Sequence, residues 1–215
     1  MTHRFSSGVP SLDRRLGGGY LPGVVEVYGS RGSGKTTLAR RALAAAEKAG
    51  ASVSYWTPGV TKKPPKGLLV EHHTERDVEE VLKGILEVLK QRKRTLVVLD
   101  PLSNLVSLDT DLVSGVRLFV IHALPRLCRA LVRTQSVLIV TSPDNQRHRA
   151  LHFYATTCLR IREDASRKSR SITVTKHVEI ECGAGSVNRQ ASVRRRQAYG
   201  RSLEGFRVGF GPSSK

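Results

Sequence analysis

Short β-branched runs alternate along this chain with longer segments whose apolar residues recur every three or four positions. Residues 24–28 (VVEVY), 53–56 (VSYW), 95–99 (TLVVL) and 137–141 (VLIVT) are the runs. The last two are almost continuously apolar, as strands covered on both faces of a parallel sheet are. Between them, residues 34–50 predict a helix that is favoured by Ala44, Ala45 and Ala46 and stopped by Gly50. Val78, Val81, Leu82, Ile85, Leu86 and Leu89 mark one face of an amphipathic helix over 75–92. A further helix is predicted over 111–133, with a kink near Pro125. Residues 9–16 predict one short helical turn, 57–67 a loop barred from regular structure by Pro58, Pro64 and Pro65, and 68–71 a short strand.

The later part changes character. Residues 149–154 predict a short helix or turn, and 157–162, 171–176 and 207–210 predict strands. The first two of these strands form a hairpin across a polar turn at 167–170. Strands alternating with helices predict an α/β fold with a mostly parallel central sheet flanked by helices. The expectation is one domain over residues 1–215, its sheet edge completed by the C-terminal third, with 183–196 (GAGSVNRQASVRRR) a flexible basic segment.

Candidate chemistry is concentrated between the first strand and its helix. Gly29, Ser30, Arg31, Gly32, Ser33, Gly34, Lys35 and Thr36 match G-x-x-x-x-G-K-[ST] at every fixed position. Glycines let a backbone curl so that successive N–H groups face phosphate oxygens, and a helix N-terminus adds partial positive charge. Lys35 is expected on the β- and γ-phosphates of ATP and Thr36 on Mg²⁺. Asp100, closing the apolar run 95–99, is the expected second Mg²⁺ partner.

Around this motif the chain resembles the RecA ATPase core. The resemblance is carried by residues 8–13 (GVPSLD), 16–19 (LGGG), 23–29 (GVVEVYG), 34–38 (GKTTL) and 96–100 (LVVLD), and resumes at 150–155 (ALHFYA). It implies a RecA-like P-loop core. It adds Thr37 and Tyr199 to the nucleotide-contacting set, Tyr199 beside the adenine. It also implies a catalytic Glu just past the strand 53–56, yet Thr57-Pro58-Gly59-Val60 stands there. Binding with weak or no hydrolysis is the expectation, since losing a water-positioning base costs roughly 10²–10⁴-fold in rate. The γ-phosphate-sensing Gln of the family has no match unless Gln146 serves, and the DNA loop at 143–149 is short. Of the lysine pair that reaches a neighbouring nucleotide, only Lys176 is matched. About eight residues precede Val9, so the family's N-terminal polymerising element is not expected.

Charge extends this picture to a partner. The net charge is +18, and residues 160–215 carry 13 basic against 5 acidic residues. Such an excess points to a polyanion or an acidic protein. Arg147, Arg149, Arg194, Arg195 and Arg196 are the candidate nucleic-acid contacts, Arg194–Arg196 being otherwise a solvated stretch. The resemblance implies a role in DNA recombination, repair or the SOS and translesion response. The expected partners are single-stranded DNA, bound weakly, and a recombinase or translesion polymerase complex that the protein modulates, as an ImuA-like paralogue would. The alternatives are a compact DNA-dependent ATPase recombinase and a KaiC-like signalling ATPase. There is no run of apolar residues long enough for a membrane span. Cys128, Cys158 and Cys182 are too widely spaced for a disulfide framework or a zinc motif, and the seven histidines show no ligand spacing. A reducing cytoplasm, of a bacterium or phage and close to the nucleoid, is the expected setting.

Overall fold

The computed structural model describes residues 3–59, 71–106, 115–144, 149–164, 169–178 and 207–208. Among these residues, eight strands form one sheet. They are β1 (Gly23–Gly29), β2 (Ser52–Trp56), β3 (Glu71–His73), β4 (Thr95–Leu99), β5 (Val137–Pro143), β6 (Thr157–Asp164), β7 (Ser169–His177) and β8 (Arg207–Val208). Their order across the sheet is β3-β2-β4-β5-β1-β6-β7-β8. The six strands from β3 to β6 run parallel, and β7 and β8 complete the edge antiparallel. Both faces of the sheet are covered, as the continuous apolar character of β4 and β5 requires. One core joins Leu38, Ala39, Ala42 and Leu43 of α2 (Lys35–Lys48) to Val25, Val27 and Ile139. The other joins α3 (Val78–Gln91) and α5 (Leu124–Thr134) to Val24, Val97, Leu138 and Val140. α1 (Pro10–Arg15) closes the first core, and α6 (Arg149–Tyr154) brings Leu151 to the second.

The helices begin and end for local reasons. α3 starts three residues later than the apolar pattern predicts, because Asp77 caps it, accepting from the N–H of Glu79 at 2.9 Å and of Glu80 at 3.3 Å. Such a cap contributes about 1 kcal/mol. Gly84 interrupts α3 with a poor helix former, since a Cβ there would collide with the Trp56 ring. The predicted helix over 111–133 is broken into α4 (Gly115–Leu118), a π-helical turn (Phe119–Ala123) and α5. Pro125 has no N–H to offer the carbonyl four residues earlier, so the irregularity lies on its N-terminal side. At the hairpin, β7 begins at Ser169, which corrects the placement of Arg170 in the turn: it is a strand residue paired with Val208.

Candidate phosphate-binding site

β1 ends at Gly29 and α2 starts at Lys35, so the glycine-rich loop opens at the carboxyl end of the parallel strands. Gly34 caps α2 at φ +104° and supplies no side-chain bond, which leaves the first-turn N–H groups to an outside acceptor. Gly29 is required by crowding: a Cβ would run into the Ile161 carbonyl oxygen of β6. Gly32, at φ +82°, instead faces open space. Ser33 is buried, and its Oγ has no partner among the described residues. Ser30 and Arg31 are exposed, Thr36 is half-buried and Thr37 exposed. Lys35 Nζ lies over the loop, donating to the carbonyls of Gly29 at 2.9 Å and Ser30 at 2.8 Å. Partial burial lowers the Lys35 ammonium below its ordinary value, while Asp100 and Asp144 act in the opposite direction. An uncapped helix start, an orphan hydroxyl and an open glycine are the donors and the space that a phosphate chain fits.

Asp100 follows β4 and is buried. β4 and β5 are in register with Leu99 opposite Val140, which sets Asp100 beside Thr141. Thr141 Oγ1 donates to Asp100 Oδ1, and the Tyr55 hydroxyl donates to Oδ2 at 3.2 Å. Burial, with Asp100 nearby, pushes the Tyr55 hydroxyl up to about 12. It stays a donor throughout the neutral range. The carboxylate is thus oriented by two hydroxyls just past β4, and its oxygens, like the Thr36 hydroxyl in the first turn of α2, are of the hard type that Mg²⁺ takes.

Two further charges reach the loop. Asp144, just past β5, donates its N–H to the Gly29 carbonyl at 3.2 Å. Its carboxylate is held by Arg160 at 2.7 and 3.0 Å. Arg170 crosses from β7, its Nη2 3.4 Å from the Gly32 carbonyl and its Cδ 3.3 Å from where a Cβ on Gly34 would stand. Sequence reading missed Arg170, because its proximity comes from an antiparallel strand 138 residues away; the one available signal was the cluster Arg167, Lys168 and Arg170 at the predicted hairpin turn.

The end of β2 is built differently. Trp56 is buried and stacked on His73 at 3.9 Å and 8°. Thr57 Oγ1 bonds the His72 ring at 2.6 Å, and Asn104 Nδ2 donates to the Pro58 carbonyl at 3.0 Å. Glu71 pairs with Arg92 at 2.8 Å, and Glu75 lies 3.9 Å from His73. Thr57-Pro58-Gly59 brings no carboxylate to this strand end. Lys176 Nζ donates to the carbonyls of His152 and Phe153 at 2.8 and 3.0 Å. Arg147, Gln146, Tyr199 and Arg194, Arg195 and Arg196 lie outside the described residues; Arg149 opens α6, its side chain also outside the description.

A family model of the NACHT domain matches residues 23–179. The chain is 34% identical over 113 residues to the RecA protein of Mycoplasma genitalium, covering 47% of this chain and 32% of that protein. It is 53% identical over 51 residues to the chloroplastic DNA repair protein recA homolog 1 of Arabidopsis thaliana, covering 23% of this chain and 12% of that protein. Against the RecA protein of Thermosynechococcus vestitus it is 49% identical over 51 residues, 23% of this chain and 14% of that protein. The chain therefore spans a third or less of the length of these relatives.

Proposed function

The chain belongs to the NACHT-domain family of P-loop NTPases and carries a RecA-type ATPase core, and from that premise we propose that it is an ATP-binding protein of DNA recombination or repair that modulates another enzyme and turns ATP over slowly. The observation that carries the reading is the contrast at one sheet edge: a complete phosphate cradle beside a strand end without a carboxylate. The Gly29–Thr36 backbone, Ser33 Oγ and Lys35 bind the triphosphate, with Thr37 next to them and Tyr199 at the base. Thr36 and Asp100 would hold Mg²⁺, which would supply positive charge to offset that of the phosphates. Tyr55 and Thr141 fix the Asp100 carboxylate. Arg170 adds a cation from the open side of the loop. Thr57-Pro58-Gly59 carries no carboxylate to position the attacking water, so chemistry is slow while binding is intact.

DNA contact is the second part of the reading. It is supported by the net charge of +18 and by the similarity to RecA proteins. Arg147, Arg149 and Arg194–Arg196 supply sequence-tolerant, salt-sensitive phosphate contacts. A recombinase or translesion polymerase complex is the proposed protein partner in the SOS response.

The test is equilibrium binding of a fluorescent ATP analogue beside an ATPase assay with and without single-stranded DNA. Expected are Mg²⁺-dependent binding and turnover well below the order of 0.1 s⁻¹, against an enzyme median near ~10 s⁻¹. DNA-stimulated turnover above that level would identify a compact active recombinase instead. Tight nucleotide binding with no DNA affinity even at low salt would favour a modulator that binds a recombinase and not DNA.

A further inference from the structure

On the face of the sheet that packs against α3 and α5, three metal-ligating side chains converge from three elements. Glu26 lies in β1, Cys158 in β6 and His152 on α6, and one ligand atom from each lies within 4.8 Å of the others. The parallel register pairs Glu26 directly with Cys158. Glu26 Oε2 is 2.8 Å from His152 Nδ1, and Oε1 accepts the Ser142 hydroxyl at 3.0 Å. Lys176, the nearby cation, points its ammonium at the carbonyls of His152 and Phe153.

We propose that Glu26, His152 and Cys158 form a binding site for one Zn²⁺ ion. A thiol, an imidazole and a carboxylate are the sulfur, nitrogen and oxygen donors that zinc takes together. Tetrahedral zinc spaces its ligand atoms by about 3.3–3.8 Å. The three atoms are close enough for rotamer adjustment to close the site. Two ligands sit on adjacent strands of the sheet interior, so the backbone holds their separation. Glu26 is 3% exposed, and its only ion-pair partner among the described residues is His152. A buried carboxylate favours a cation beside it. The His152 side chain, 40% exposed, leaves a route for the ion and a fourth position for solvent. The bound ion would clamp α6 to the strand that feeds the phosphate loop. The competing arrangement is a Ser142–Glu26–His152 hydrogen-bond network that never takes metal.

The experiment is a Zn²⁺ titration of the full chain against a chromophoric chelator, with Cys128→Ala and Cys182→Ala as background to remove other thiols. One Zn²⁺ per chain with sub-micromolar affinity is expected, together with a rise in melting temperature on adding the metal. Co²⁺ in its place should give a thiolate charge-transfer band. Cys158→Ser should abolish that band, and Cys158→Ser and His152→Ala should each weaken Zn²⁺ by about 100-fold or more, since even outer-shell changes cost 10–100-fold. His152→Ala, at a half-exposed position, keeps the test open if Cys158→Ser misfolds. Absence of saturable binding overturns the proposal. So does one-to-one binding that survives both substitutions, which would place the ion elsewhere, such as at His72 and His73.

Discussion

The ends of β1 and β2 lie on the same edge of one sheet and have been put to opposite uses. At the end of β1 the backbone is opened: Gly29, Gly32 and Gly34 make room, α2 begins without a side-chain cap, and Ser33 and Lys35 face the loop. At the end of β2 the polar groups are closed on one another. Trp56 is stacked on His73, Thr57 is tied to His72 and the Pro58 carbonyl is capped by Asn104. Under the proposed function, the difference teaches that phosphate binding and water activation are separable in this fold. The first depends on a local loop and helix start, the second on a side chain delivered from a neighbouring strand.

The sharpest way to break the comparison is Lys35→Ala. Loss of a charge-assisted contact should lower ATP affinity by about 100-fold or more while the melting curve stays cooperative. Unchanged affinity in a folded variant would remove the phosphate loop from the argument. Gly84→Ala probes the other side. Its Cβ must displace the Trp56 ring, and overpacking of this kind costs about 1–3 kcal/mol. Urea unfolding should show that loss with ATP affinity unaltered, if the β2 end serves packing alone.

Arg170→Ala is a milder test. Removing one guanidinium should weaken ATP by about tenfold and leave stability within error, as loss of one hydrogen bond to a charged group does. An equal loss for ADP and ATP would place its contact before the γ-phosphate. The smallest effect is expected from replacing Arg194, Arg195 and Arg196 together with Ala. Salt titration of single-stranded DNA binding should lose about two units of log–log slope, near −0.7 per contact, with nucleotide affinity unchanged.

The sequence alone determined what depends on neighbours along the chain. The spacing of the glycines with Lys35 and Thr36 defined the loop, because a strand, a turn and a helix start are consecutive segments. Continuous apolarity in 95–99 and 137–141 marked the interior strands, and Asp100 stood out as the first polar residue after one of them. Only the tertiary structure could decide the rest. Arg170 reaches Gly32 because β7 returns antiparallel past the loop; the hairpin was legible locally, but the pairing of β6 with β1 that carries it to the loop was not. Glu26, His152 and Cys158 have no ligand spacing, and they meet because β1 and β6 pair in register while α6 lies over them. Local periodicity fixes which face of an element is buried, but sheet register fixes which buried side chains touch.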